Sequence, residues 1–285
     1  MAKDTFLNTK RTLNVRGKLV DLTVPRVMGI LNITPDSFYS TSRISSVDEA
    51  LRNTEAFLRE GATFIDIGAY SSRPGAAEVS PDEELQRLIP VISAITKKLP
   101  EALLSIDTFR AGVAREAIDA GAHIINDIAA GEMDTDMFKT MADLQVPYII
   151  MHMKGTPKTM QQQASYQNLT LEVITYFSEK IAGLKKLGLH DIIIDPGFGF
   201  AKNLDHNYEL MRQLEDLQIF GLPVLAGISR KTMIYKLLHT DAAGALNGTT
   251  VLNTVALLKG ASILRVHDVK AAAECIALIE KLQQK

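Results

Sequence analysis

Read to their last residues, the short apolar runs of this chain end on groups that can bind. They end on Asn32, Asp107, Asn126-Asp127, Met151-His152 and Asp195, and the last two lead into Ser229-Arg230-Lys231 and Arg265-Val266-His267-Asp268. Another run carries a carboxylate, Asp66, within it. Asp107, Asn126 and Asp195 together suit a flat heterocycle with a guanidine-like edge. A carboxylate accepts two parallel N–H donors, and an amide offers one donor and one acceptor. Arg265, His267 and neighbouring loop amides suit an anion such as a diphosphate. Asn32 offers a hard oxygen to Mg²⁺, an ion that keeps several waters and takes few protein ligands. A heterocycle at one end and a diphosphate at the other suggests displacement of pyrophosphate.

Each of these groups also has a plainer reading. Asp107 and Asp268 stand close enough to the following helical patterns to cap them. Asp195 does not, because some eight residues separate it from the next helix. His152, between two methionines, reads better as a satisfied core residue than as a ligand. Arg265 resists such an account, since the inward end of a buried strand is an expensive place for an unpaired guanidinium. The joint occurrence of these groups at run after run is what favours a site.

Elements that would position them follow from hydrophobic periodicity. Residues 11–22 form two short alternating runs meeting at Arg16-Gly17-Lys18, which predicts a β-hairpin. From Val27 the pattern becomes short apolar strands, VMGILN, TFIDIG, LLSID, HIIND, PYIIMH, DIIID, PVLAG and SILRVH, separated by longer segments. Helical periodicity is clear over 47–60, 81–97, 110–120, 169–187 and 203–217. Eight such pairs are the rhythm of a TIM (β/α)8 barrel, whose active sites assemble at the C-terminal ends of the strands. A doubly wound open sheet fits less well, because no G-x-G-x-x-G follows the first strand. No segment has the composition of a linker. The expected organisation is one domain over 1–285, the barrel from 27 onward and the 11–22 hairpin closing its bottom. In DPGFGFAKN, which follows DIII, the glycines are expected to let a flat ring approach the backbone.

Composition excludes several classes. With 46% hydrophobic residues among 285, the chain can bury a large core. A net charge of −2 speaks against nucleic-acid or membrane-surface binding. No apolar run reaches spanning length and MAKDTFLNTKR lacks a signal-peptide core, so a cytoplasmic enzyme is expected. The single cysteine, Cys275, reads as a small core hydrophobe.

In their order, MGILNITPDSF (28–38), SSRPGA (71–76), SIDT (105–108), INDI (125–128), DPGFGFAK (195–202), GISRK (227–231) and RVHDV (265–269) resemble the motif set of the dihydropteroate synthase family. The resemblance spans about 27–269. It implies a Mg²⁺-dependent transferase that condenses 6-hydroxymethyl-7,8-dihydropterin diphosphate with p-aminobenzoate, giving dihydropteroate and pyrophosphate in folate synthesis. It implies that Asp107, Asn126, Asp195 and Lys231 contact the pterin, with Arg265 stacked on its face. Asn32, Arg73, Arg265 and His267 would hold the diphosphate, Asn32 through Mg²⁺. Phe38 and Pro74 would help form the p-aminobenzoate slot, with Ser72 and Ser229 nearby. A homodimer is also implied; apolar faces over 250–258 and 271–282 would suit it.

Two loops depart from the family pattern. After Asp36-Ser37-Phe38 the chain reads Tyr39-Ser40-Thr41-Ser42-Arg43 where the family has an acidic, glycine-rich stretch, and Ala69-Tyr70-Ser71-Ser72-Arg73 replaces Gly-Glu-Ser-Thr-Arg. The family is a sulfonamide target, and affinity for such analogues of p-aminobenzoate would depart from the norm at these loops. A corrinoid-directed methyltransferase shares the pterin floor but has no need of SRK and RVHD. A Schiff-base aldolase would want Lys231 on a strand. A non-catalytic pterin-binding paralogue is the remaining alternative.

Overall fold

The N-terminal alternation folds into a hairpin of β1 (Thr12–Val15) and β2 (Lys18–Asp21), paired antiparallel. Arg16 and Gly17 take φ of 50° and 83° at its turn. Two successive left-handed residues give a twist that matches the flanking strands. This computed structural model describes residues 10–33, 43–70 and 79–284, the side chains of 43–46 excepted.

Eight parallel strands follow: β3 (Arg26–Asn32), β4 (Ala62–Gly68), β5 (Leu103–Asp107), β6 (Ile124–Asp127), β7 (Tyr148–Met151), β8 (Ile192–Asp195), β9 (Leu225–Ala226) and β10 (Ile263–Val266). They are ordered β8-β7-β6-β5-β4-β3-β10-β9, and a parallel bridge between Ile194 and Val224 joins the two outermost strands. The result is the expected α/β barrel. Every predicted strand is present, although PVLAG contributes only two residues.

Helices α1 (Arg43–Arg59), α2 (Pro81–Lys98), α3 (Ala111–Asp119), α4 (Met137–Leu144), α5 (Leu169–Lys186), α6 (Leu204–Arg212), α7 (Thr232–Tyr235), α8 (Leu246–Leu258) and α9 (Val269–Gln283) lie between and after the strands. Helix α2 starts as its sequence dictates. Ser80 accepts from the Glu83 N–H, Pro81 opens the first turn, and three acidic residues face the positive end of the helix dipole. The helical pattern over 203–217 does not form one helix. It divides into α6 and a 3₁₀ run, Leu214–Phe220. Arg212 lies in the last turn of the first piece and Glu215 and Asp216 in the first turn of the second, so each charge suits the dipole of a short helix.

Side chains alternate along each strand. Ile65, Ile67, Leu104, Ile106, Ile125 and Ile150 face outward to the helices. Met28, Phe64, Ile124, Ile149, Ile193 and Ile263 face inward, where they pack with Leu13, Val15, Val20 and Leu22 of the hairpin segment. The hairpin therefore closes the N-terminal end of the barrel. Asp191 fixes it there, accepting from Lys10 Nζ at 2.8 Å and the Asn14 N–H at 3.0 Å.

Candidate functional site

Two residues beyond the apolar layer, the inward positions of β4, β6, β8 and β10 turn polar, and Asp66 of β4 lies at their centre. It is fully buried. Its Oδ1 accepts from Ser105 Oγ at 2.6 Å, and its Oδ2 accepts from Asn126 Nδ2 at 3.0 Å and Arg265 Nε at 2.6 Å. The same guanidinium donates from Nη2 to Asp107 Oδ2 at 2.8 Å. One arginine thus bridges the ends of β4 and β5 from β10, and the expense of burying it is met by two carboxylates. Asp66 was not among the predicted site residues. The signal for it was parity: a carboxylate two residues after the inward Phe64 must also face inward.

That network fixes the polarity of the site. Asn126 gives one N–H to a carboxylate that can only accept, which sets which end of the amide is nitrogen and leaves its Oδ1 and second N–H for other partners. Asp107 does not cap α3. Arg110 occupies the N-cap without a side-chain bond, and the Ala111 N–H goes to Asp134 Oδ2 at 2.7 Å. Burial pushes the Asp107 carboxyl up to about 7 against the pull of Arg265, with the Asp66 charge adding to the rise.

Asp195 ends β8 and accepts the Gly197 N–H at 2.8 Å. Burial pushes its carboxyl up, opposed first by Lys231. A methyl group placed on Gly227 would sit 3.6 Å from Asp195 Oδ2 and 4.0 Å from Lys231 Nζ, so these two groups converge on one point. Lys231 donates to the Phe198 carbonyl, lies 4.8 Å over the Phe200 ring, and is lowered to about 8, first by burial. It precedes α7 rather than projecting from a strand, which disfavours the aldolase arrangement.

The expected role of the glycines changes at Gly197. A methyl group there would lie 2.1 Å from the His152 carbonyl oxygen, and φ is +72°. The chain's own backbone therefore requires glycine at this position. Gly199 faces the Lys231 stem, 3.4 Å from a built Cβ.

On the cationic side the turn after β9 is tied to the end of β10. Ser229 Oγ accepts the His267 N–H at 3.2 Å and lies 3.1 Å from His267 Nδ1. Its hydroxyl can donate to Nδ1 where the imidazole is the Nε2–H tautomer, and His267 itself is exposed. Arg230 donates twice to Asp268, both at 2.8 Å. Asp268 is therefore paired, and it makes no side-chain cap on α9. His152 is buried in the core as expected, its imidazole lowered to about 2 by burial.

Asn32 is exposed at the end of β3. A methyl group on Gly68 would be 3.5 Å from its Oδ1 and 3.8 Å from Asp107 Oδ2. Hard oxygens with room for water fit Mg²⁺, which needs one or two protein ligands. Phe38, Ser72, Arg73 and Pro74 lie outside the described residues.

A parallel barrel with a ring of acceptors and cations at its C-terminal mouth is the frame of one class, and the sequence confirms it. Residues 28–267 match the pterin binding enzyme family, and the chain belongs to that family. Among its relatives, the dihydropteroate synthase of Escherichia coli (strain K12) is 44% identical, over 94% of this chain and 95% of that protein. The Yersinia pestis dihydropteroate synthase in a sulfonamide drug complex superposes with a TM-score of 0.89 at 41% identity, over 95% of this chain and 99% of the other. The Xanthomonas albilineans dihydropteroate synthase with 4-aminobenzoic acid gives 0.89 at 37% identity, over 97% and 100%.

Proposed function

We propose that this chain catalyses the dihydropteroate synthase reaction, joining 6-hydroxymethyl-7,8-dihydropterin diphosphate to p-aminobenzoate with release of pyrophosphate. It is then a transferase of folate synthesis. The supporting observation is the acceptor-rich floor of Asp107, Asn126 and Asp195, with Lys231 Nζ beside it. Such a floor suits the amino and ring N–H donors of a pterin, and the one ammonium suits the ring's acceptor atoms. Arg265 uses Nε and Nη2 on Asp66 and Asp107 and presents its flat face to the ring.

Diphosphate falls to His267, Arg265 and Arg73. Among the described residues at the mouth, the cations Arg265 and Lys231 stand beside the carboxylates Asp66, Asp107 and Asp195, so a diphosphate gains from further positive charge. Asn32 would hold Mg²⁺, which when bound supplies that charge.

In this reading the C–O bond to pyrophosphate breaks first, and the electron pair leaves with the diphosphate. The Asp107 and Asp195 carboxylates oppose the positive charge left on the pterin methylene. The aniline nitrogen of p-aminobenzoate then donates its lone pair to that carbon and loses a proton to solvent. A weak nucleophile gains most from this order, since the site acts on departure rather than on the amine.

A homodimer belongs to the same proposal. Val251 and Leu258 on one face of α8, and Leu278 and Leu282 on one face of α9, are 53%, 60%, 68% and 77% exposed, an apolar surface suited to a second copy. So does a cytoplasmic location, which suits the free, buried thiol of Cys275.

The test is a pyrophosphate-release assay on purified protein. Release is expected only when Mg²⁺, the dihydropterin diphosphate and p-aminobenzoate are all present. Tight pterin binding without turnover would overturn the reading in favour of a non-catalytic binder, and methyl transfer to a corrinoid protein would overturn it in favour of the methyltransferase.

A further inference from the structure

The segment from Asp195 to α6 gives its carbonyls to side chains. Gly197 O and Phe200 O both accept from Lys202 Nζ at 3.0 Å, Phe198 O accepts from Lys231, and Ala201 O accepts from the Tyr166 hydroxyl at 2.8 Å. Gly199 O takes the Gln161 amide at 3.3 Å. Five consecutive carbonyls are thus held by four side chains, two of them lysines.

Lys202 is the unusual member. Only 3% of it is exposed, and its remaining contacts are His152 Nδ1 at 3.0 Å and His152 O at 3.4 Å. All its hydrogen-bond partners are neutral. Against a charged ammonium the imidazole accepts at Nδ1, as the neutral Nε2–H tautomer does, in keeping with its low basicity. A buried ammonium without a carboxylate against it is a costly arrangement. Burial accordingly lowers Lys202 to about 7, and the nearest force opposing that is the charge of Asp195. The charged and titratable groups around it are His152 and Lys154 from the loop after β7, Asp195 from β8, and Lys231 from the turn after β9. Around Asp195 they are Lys231, Lys202 and Arg265.

We propose that Lys202 is a positioning residue for the pterin floor: it clamps the 195–202 segment and supplies positive field behind the Asp195 carboxylate, without touching ligand. The proposal deepens the reading of Asp195 as a pterin acceptor and rests on it. A slack segment would misplace Asp195 and, through Phe198 O, Lys231. A missing charge would let the Asp195 carboxyl take a proton at higher pH, and a protonated acid no longer accepts from the donor edge as a carboxylate does.

The experiment is calorimetric binding of 6-hydroxymethyl-7,8-dihydropterin diphosphate across a pH series, with wild type, Lys202→Met, Tyr166→Phe and Asp195→Ala side by side. Lys202→Met is expected to move the acid limb of binding up by about one pH unit and to weaken binding about ten-fold on that limb. Tyr166→Phe, which frees one carbonyl and removes no charge, is expected to leave the limb in place. A wild-type acid limb in folded Lys202→Met, or an equal shift in Tyr166→Phe, overturns the proposal. Should Lys202→Met not fold, Lys202→Gln keeps two N–H donors for the carbonyls and is read by the same criterion. Wild-type binding by Asp195→Ala would instead overturn the underlying assignment of Asp195, a separate failure.

Discussion

Phe64 and Asp66 occupy the same face of one strand, as do Ile124 and Asn126, Ile193 and Asp195, and Ile263 and Arg265. The first of each pair packs with the hairpin in a sealed apolar layer, and the second belongs to the polar mouth. A single step of two residues, about 7 Å, separates the two environments. The lower layer gains stability from burial alone and needs no direction. The upper layer is tolerated only because its members bond one another, and Asp66, with no exposed surface, satisfies three of them. Binding groups can therefore be held open toward a ligand on a support that does not share their chemistry.

The sharpest way to break this contrast is Asp66→Asn. The amide cannot accept as the carboxylate does from Arg265, Asn126 and Ser105, so about 3–5 kcal/mol of stability should go, with turnover down at least about a hundred-fold. Urea denaturation and steady-state kinetics report the two losses, and wild-type turnover would show that the mouth does not depend on its buried centre. Phe64→Ala, two residues below, should cost about 3–5 kcal/mol and leave pterin affinity of the folded enzyme within about two-fold. A parallel loss of affinity in calorimetry would mean that the layers are not separate.

His152 sets a pH dependence between these extremes. Unfolded, it takes a proton near 6.5; folded, it resists down to about 2. The unfolded state therefore binds more protons below 6.5, and stability should fall by about 1.4 kcal/mol per pH unit of acidification from this residue alone. Denaturation midpoints at pH 7.5 and 5, compared between wild type and His152→Gln, measure it, and identical slopes would remove His152 as the cause. Smallest is Asp191→Asn at the hairpin. The Lys10–Asp191 pair is partly exposed, so about 0.5–1 kcal/mol should be lost, with catalysis untouched. A loss of activity in that variant would couple the floor to the mouth.

The alternation of strands and helices was legible because β3 to β8 and β10 are apolar runs with clear ends. The ring of candidate residues was legible because a barrel's chemistry gathers at such ends. What local pattern did not disclose depends on distance in three dimensions. Asp66 acts through partners 39, 60 and 199 positions away, and Lys202 through His152, 50 positions away. Helix α4, MFKTMADL, was too short to stand out by periodicity, and the break after α6 turns on a few charges. Asp107 and Asp268 had capping as an equal reading until their ion-pair partners, Arg265 of β10 and Arg230 of the turn after β9, were known.

The bridge between Ile194 and Val224 has one more consequence. Seven of the barrel's strand junctions are ladders, whereas this closing one, among the described residues, is a single bridge beside the two-residue β9. A cylinder joined so lightly along one line is expected to part there before it unfolds. Amide protons flanking that line should exchange with deuterium through local openings, while those of β4 and β5 wait for global unfolding. Asp195 and the Ser229–Lys231 turn border the line on either side, so the edge expected to open first would also be a wall of the proposed pterin site.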